Sequence, residues 1–471
     1  MFSIYQGKKM IVNSAKPSFF NRYFNELKSI LLLSVPIFLA QLGMTAMGFI
    51  DTVMAGHYSS IDLASVAIGS SLFFPFIISL NGIMMAVVAI TAQLKGARNE
   101  KKSLEILSDS FWIGLFFAAV LFFFFNRLDF ILNFMELSAE VKKIVKGYLF
   151  GTSIGLPAIA LYLCLKSFIE GLGKTRPQMF ISLLAVVFNF FANNTLIYGK
   201  LGFKEMGGAG CGLATGLTLW FFLILLLFYS YIDEEIRKME IFKKIRLPRL
   251  EGIKEILYLG LPIGGTLFME CSIFACITLF IGVLGPIVVG GHQITLNYSS
   301  LVFSLPLSIG MAVTIRTGHE IGKKDPYSAR FVCITGISFA MSAAVCTLIF
   351  TRFCPEFIAS LYTEDKEVIK IAVFLLKTAA LYQVSDALMV ISQSGLRGYK
   401  DANVTFLLTF VAYWVITLPI GYLISMTDWI VSPMGARGFW LSLILGLTVS
   451  GVFLGIRLYF VSKKFILNAR A

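Results

Sequence analysis

Three carboxylates sit where a carboxylate is expensive. Asp51, Glu270 and Asp386 each lie inside a long apolar run, and an acidic side chain central in a membrane span costs roughly 2.5–3.5 kcal/mol on insertion scales. Groups kept at that cost face a cavity or a partner and mark ion or proton paths. None has a Lys or Arg three or four places away on its own run. Any charge partner must therefore come from elsewhere in the fold. The alternative for each is a purely structural role, protonated or hydrogen-bonded across helices.

A second group of polar residues falls at the depth of Asp51. Asp51 stands five residues before Gly56, Asn193 six before Gly199, and Thr215 seven after the start of its run. At ~1.5 Å per residue this places them about 7–11 Å from the outer turns. Asn189 is one turn from Asn193 on the same helix face. A carboxylate, two amides and a hydroxyl at one level suit a hard cation, or a protonatable Asp held by amides. A polar cluster that only packs helices is the alternative. Glu270 and Asp386 fall deeper, near the expected midplane, in the second half of the chain. Asp62, in the first outer loop, is expected to be exposed and functionally indifferent.

Twelve apolar runs must position these groups. They fall near 29–55, 63–93, 106–126, 144–165, 178–199 and 208–232, then near 253–283, 287–316, 331–351, 368–396, 403–425 and 438–461. Each can cross about 30 Å of hydrocarbon. Pro36, Pro75, Pro157, Pro262, Pro306 and Pro419 lie inside runs, where neighbouring helices tolerate the bends they impose. The expected class is an all-α integral membrane protein of twelve helices in two pseudo-symmetric six-helix lobes. Its parts are a tail at 1–28, a first lobe at 29–232, a basic linker at 233–252, a second lobe at 253–461 and a tail at 462–471.

The two lobes are copies. Leu33-Ser34-Val35-Pro36-Ile37 returns as Leu259-Gly260-Leu261-Pro262-Ile263, a shift of 226 positions. The same shift carries Gly56 onto Gly282, Ile68 onto Ile294, Met85-Ala86-Val87 onto Met311-Ala312-Val313 and Gly96 onto Gly322. Gly171-Leu172 matches Gly395-Leu396 at a shift of 224. Repeats of six spans start on the same membrane side, so the halves are parallel repeats about an axis along the membrane normal, with a site between them. The acidic positions are not duplicated: Glu270 aligns with Met44 and Asp51 with Ile277.

Composition narrows the medium and the chemistry. Hydrophobic residues make up 57% of the 471, charged residues only 14%, and the mean hydropathy is +0.81, against about 25% charge in a soluble domain. No Gly-rich phosphate loop, Ser-His-Asp pattern or CxxC pair occurs, which argues against an ATPase, a hydrolase or a metal centre and leaves no catalytic residue and no cofactor to expect. The seven cysteines read as packing residues, and His57, His292 and His319 form no motif. With the N-terminus inside, 29 of the 40 Lys and Arg fall in inner segments and 11 in outer loops, so both termini are expected in the cytoplasm. The basic balance then reflects loops facing anionic lipid rather than a nucleic-acid partner. The apolar run after the basic N-terminus is too long for a signal segment and is expected to be retained.

At these same residues the chain resembles the multidrug and toxic compound extrusion (MATE) family, in its bacterial NorM-like branch. The matching stretches are Gly48-Phe49-Ile50-Asp51-Thr52-Val53-Met54-Ala55-Gly56 and Glu170-Gly171-Leu172 with Thr175-Arg176-Pro177. Further matches are Gly291-His292-Gln293-Ile294 through Pro306-Leu307-Ser308-Ile309-Gly310, and Ser385-Asp386-Ala387 through Leu396-Arg397-Gly398-Tyr399-Lys400. The resemblance implies twelve helices in two V-shaped lobes in the bacterial inner membrane, exporting cationic amphipathic drugs or metabolites against Na⁺ or H⁺ entry, as a monomer. It implies that Glu270 and Asp386 are coupling residues and Na⁺ ligands of the second lobe. Asp51, Asn189 and Asn193, and more loosely Thr215, would form the first-lobe site. Some relatives carry a Tyr on the eighth helix where Phe303 aligns here, so that hydroxyl is missing. The competing reading within the superfamily is a flippase for a lipid-linked precursor, which would call for a cavity lined by Arg or Lys. A channel would need a filter-like carbonyl motif, which is absent.

Overall fold

A computed structural model describes residues 19–135, 137–244 and 246–470. Within them, eleven helices are long and apolar enough to cross a membrane, and one bent pair supplies a twelfth. The first half holds α1 (Phe19–Tyr58), α2 (Ser60–Gly96), α3 (Glu100–Phe125), α4 (Ala139–Ile154 with Leu156–Gly171), α5 (Arg176–Tyr198) and α6 (Gly207–Ile232). The second holds α7 (Leu250–Gly282), α8 (Pro286–Gly322), α9 (Pro326–Phe353), α10 (Lys366–Gly398), α11 (Asn403–Met426) and α12 (Ala436–Asn468). The expected all-α membrane class is the observed one.

Helix ends outrun the apolar runs. Helix α1 begins at Phe19 and α12 continues to Asn468, because polar residues add turns beyond the hydrocarbon at no cost to the helical hydrogen bonds. Residues 1–18 of the expected first tail lie outside the described residues. Several starts carry the caps their sequence advertises: Ser59, Asn99, Asp325 and Asp365 each accept a backbone N–H of the first turn, satisfying donors that a helix end otherwise orphans. Helix α4 bends by 44° at Gly155, just before Pro157. In α11 the turns from Val411 to Thr417 widen to a π-helix ahead of Pro419, which has no N–H to give to the preceding turn. By contrast Pro36, Pro75, Pro262 and Pro306 sit within uninterrupted helices.

Asp62 is not the exposed loop residue the sequence suggested. It lies in the first turn of α2, is buried, and accepts the N–H of Gly208 at 2.6 Å. The start of α6 is Gly-rich and has no cap of its own, so a carboxylate from a neighbouring helix supplies one.

The buried apolar residues form two main clusters, and α1 and α7 each pass from one to the other. Ile30 of α1 belongs to the cluster of the second half, whereas Ile37, Met54 and Ala55 belong to that of the first. In α7 the order is mirrored: Ile256, Leu259 and Ile263 pack with the first half, and Ile273, Ile277 and Ile281 with the second. The halves therefore interlock at the face carrying the 233–252 linker and part towards the other face.

Glycines make that interlock close. A Cβ on Gly82 would stand 2.7 Å from Gly264 Cα, and one on Gly96 would stand 3.0 Å from Gly322 Cα while running into the His319 carbonyl. Gly96 and Gly322 are the pair matched by the repeat, so the axis relating the halves passes between them. On the linker face, Arg246 and Arg249 reach Glu105 and Asp109 of α3, and Lys174 pairs with Asp233 at 2.5 Å. Burial alone would raise the Asp233 carboxyl; Lys174, the Ile236 N–H and Tyr229 outweigh it and hold the group below its ordinary value.

Candidate functional site

Four polar residues of the first half meet as their depths suggested. Asn193 Nδ2 donates to Asp51 Oδ1 at 2.6 Å and lies 3.2 Å from Asn189 Oδ1, while Thr215 Oγ1 donates to Asp51 Oδ2 at 3.2 Å. Asp51, Asn189 and Asn193 are buried and Thr215 half-buried. Helix α1 is held to α5 here by a further bond, Tyr198 Oη to the Met54 carbonyl at 2.9 Å. The Asp51 carboxylate thus has a donor on each oxygen, as a buried polar group requires.

The two carboxylates of the second half are placed differently. Glu270 of α7 and Asp386 of α10 line one central cavity of about 550 Å³ between the halves. Glu270 accepts a single bond, from Gln393 Nε2 at 3.2 Å. Asp386 accepts none from the described residues. Asp51 and its partners are not among the residues lining this cavity, so the polar residues singled out in the sequence fall into two separate groups.

Several lining residues escaped the sequence reading. Tyr382 and Met389 flank Asp386 on α10, and Tyr413 comes from the π turns of α11. Phe274, Phe303 and Met311 add apolar wall from α7 and α8. The first half contributes Gln41, Thr45, Asn81 and Met85, together with Lys166, Glu170 and Gln178. Glu170 is buried 3.9 Å from Lys166, and Gln178, with its amide turned to suit, bonds both. Phe303 is on the wall and brings no hydroxyl to the cavity.

Glu270 also has the charge partner its own run lacked. Arg397, buried on the last turn of α10, donates to Gln393 Oε1, and Gln393 passes its amide N–H to Glu270. Tyr382, Asp386, Gln393 and Arg397 follow one another at helical spacing along a single face. That polar stripe was visible in principle. Ending the apolar run at 396 left Arg397 counted as a loop cation.

A family model described as MatE matches residues 36–195 and again 262–423. The two matches begin at Pro36 and Pro262, the prolines aligned by the repeat. The chain belongs to the MatE family. Among MatE relatives, it is 38% identical over 444 residues to the multidrug resistance protein NorM of Aliivibrio fischeri, covering 94% of this chain and 96% of that one. It is 41% identical over 445 residues to the multidrug resistance protein PmpM of Pseudomonas aeruginosa, with 94% and 93% covered. A crystal structure of a MATE protein in the bent conformation superimposes with a TM-score of 0.86 at 17% identity, over 96% of this chain and 98% of that one. The protein is accordingly a membrane transporter and not an enzyme, with the MATE fold.

Proposed function

We propose that this protein is a multidrug efflux antiporter of a bacterial inner membrane, exporting cationic amphipathic compounds in exchange for entering Na⁺ or H⁺. The linker face is cytoplasmic, with both termini on that side, and the chain works as a monomer surrounded by lipid. Residues 29–232 and 253–461 act as the two moving lobes. The observation that carries the reading is a large, mostly apolar cavity whose second-half wall presents Asp386 without a partner and Glu270 with one. A carboxylate out of water and unpaired is costly, so a cation or a proton entering the cavity is held there.

The mechanism follows from shared charge. An organic cation and the coupling ion compete for Glu270 and Asp386, and the antagonism is reciprocal by linkage. Aromatic and Met side chains around the carboxylates give flat, adaptable contacts that suit varied ligands. With the linker face closed, ions arriving from the opposite side displace the drug outward. Asp51 with Asn189, Asn193 and Thr215 is a second coupling point, where an arriving proton or cation must displace donors that already fill both carboxylate oxygens. The relatives named for multidrug resistance support the drug assignment. The lipid-linked precursor flippase is less well supported: Lys166 is the cavity's lysine, and it already faces Glu170.

Equilibrium binding of ethidium to the purified protein tests this. Raising Na⁺ at constant ionic strength, or lowering pH, should weaken binding at least about fivefold, the lower end of usual coupling energies. Binding that ignores both ions would overturn the antiport reading.

A further inference from the structure

Among the contacts that join the halves on the linker face are two hydrogen bonds whose side-chain partners are matched by the repeat. Gln93 of α2 donates through Nε2 to the Gly398 carbonyl at the end of α10, at 2.8 Å. His319 of α8 meets the Gly171 carbonyl at the end of α4 through Nε2, at 2.9 Å. Positions 93 and 319 are equivalent under the 226-residue shift, and each reaches the carbonyl ending a helix of the opposite half. In both places the residue immediately before the carbonyl is a buried charge, Glu170 in one and Arg397 in the other.

The Gln93–Gly398 latch is wired to the cavity. Arg397 bonds Gln393, which bonds Glu270, and its Nη1 lies 3.9 Å from the Met85 sulfur of α2. Met85 and Gln93 are two turns apart on one face of α2. The last turn of α10 is therefore held at both ends: by Glu270 through an amide, and by α2 through Met85 and Gln93. A guanidinium buried this deeply needs its partners, because leaving a charge unpaired out of water is expensive.

We propose that Arg397 is a positioning residue that transmits the charge state of Glu270 to the linker-face seal, through Gln393 on one side and the Gly398–Gln93 bond on the other. This rests on the antiport reading above. While Glu270 is ionised and empty, it holds Gln393 and Arg397 in register and the latch stays made. A cation or proton on Glu270 removes that hold, Arg397 shifts, and the Gly398 carbonyl leaves Gln93. Ion entry from the far side then unlocks the linker side, the order antiport requires. The first-half latch has no such wire to Glu270: Glu170 is already neutralised by Lys166, so it closes the seal without sensing the ion.

Hydrogen–deuterium exchange on the full-length protein in nanodiscs tests this, with ethidium binding measured in parallel. In the wild type, the ion that antagonises ethidium should raise exchange across 91–99 and 393–401 by about fivefold. In Arg397→Met the same ion should still weaken ethidium binding, which shows a folded cavity, yet leave exchange at 91–99 unchanged. Arg397→Lys should restore part of the response. If Arg397→Met does not fold, Gln93→Leu serves, since it breaks the latch without disturbing the buried charge; exchange should be high and ion-independent. An undiminished ion response in Arg397→Met, or in Gln93→Leu, would overturn the role of Arg397 and leave the antiport reading standing. Wild-type ethidium binding indifferent to both ions would remove the antiport reading, and this inference with it.

Discussion

The Asp51 cluster and the Glu270–Asp386 wall occupy the two halves of one duplicated scaffold, and they differ in what their carboxylates lack. Asp51 lacks nothing: Asn193 and Thr215 supply a donor to each oxygen. Asp386 faces the cavity with no hydrogen bond from the described residues, and Glu270 has one. Duplication supplied the same helices twice, and divergence then gave one carboxylate a full set of donors and left the others with one or none among the described residues. A buried acidic residue is thus an incomplete functional argument until its partners are counted. The self-satisfied group is held ionised by its donors, and a proton or ion reaches it only by displacing one of them. The open pair is suited to a larger cation.

Breaking the open wall should have the largest effect. Asp386→Asn and Glu270→Gln remove a buried charge partner, a change commonly worth 2–5 kcal/mol, and so should cut ion-driven efflux by about 10²-fold with the protein still in the membrane. Efflux assays on membranes of matched protein content check this, and normal efflux would take either residue out of the mechanism. The closed cluster should respond less. Asp51→Asn should lower efflux by about tenfold through one charged hydrogen bond, while leaving the sodium dependence of ethidium binding at its wild-type value. A lost sodium dependence in that variant would mean the two regions are a single site.

Two further changes sharpen the contrast from outside it. A methyl group at Gly322 would meet the Gln93 carbonyl and Ala97 N. Gly322→Ala should therefore loosen the linker-face seal at a cost of about 1–3 kcal/mol, raising exchange at 91–99 without weakening ethidium binding. Asp233→Ala should cost only about 1–2 kcal/mol through loss of its bonds to the Glu235 and Ile236 N–H groups and to Lys174, read as a lower melting temperature with coupling intact. Because the folded Asp233 carboxyl sits below its ordinary value, its contribution is present above that ordinary value. It is lost only as pH falls through the lowered one. Any pH response of efflux near neutrality must then arise elsewhere than at this ion pair.

Much of this was legible in the chain. The 226-residue shift foretold the two halves, and one of its matched glycine pairs, Gly96 and Gly322, meets where the halves approach most closely. Counting residues from turns brought Asp51, Asn189, Asn193 and Thr215 together correctly, since depth along a rigid helix is arithmetic. What stayed hidden depends on which faces of distant helices meet. The carboxylate of Asp62 looked solvent-exposed because its partner, the Gly208 N–H, is 146 residues away. Arg397 looked like a loop residue because helices outrun their apolar runs, and its link through Gln393 ends at Glu270 on another span. The partition of the polar residues into a closed cluster and an open cavity could not be read from depth at all.

The central claim is that the second-half carboxylates couple ion entry to drug exit while the closed first-half cluster plays a separate part. Ethidium efflux from proteoliposomes tests it most directly, under an imposed sodium gradient and then a proton gradient alone, with wild type, Glu270→Gln and Asp51→Asn side by side. The account predicts ion-driven efflux in the wild type, its loss in Glu270→Gln under whichever gradient drives it, and reduced but still driven efflux in Asp51→Asn. Equal and complete loss in both variants, or efflux in Glu270→Gln at the wild-type rate, would contradict it.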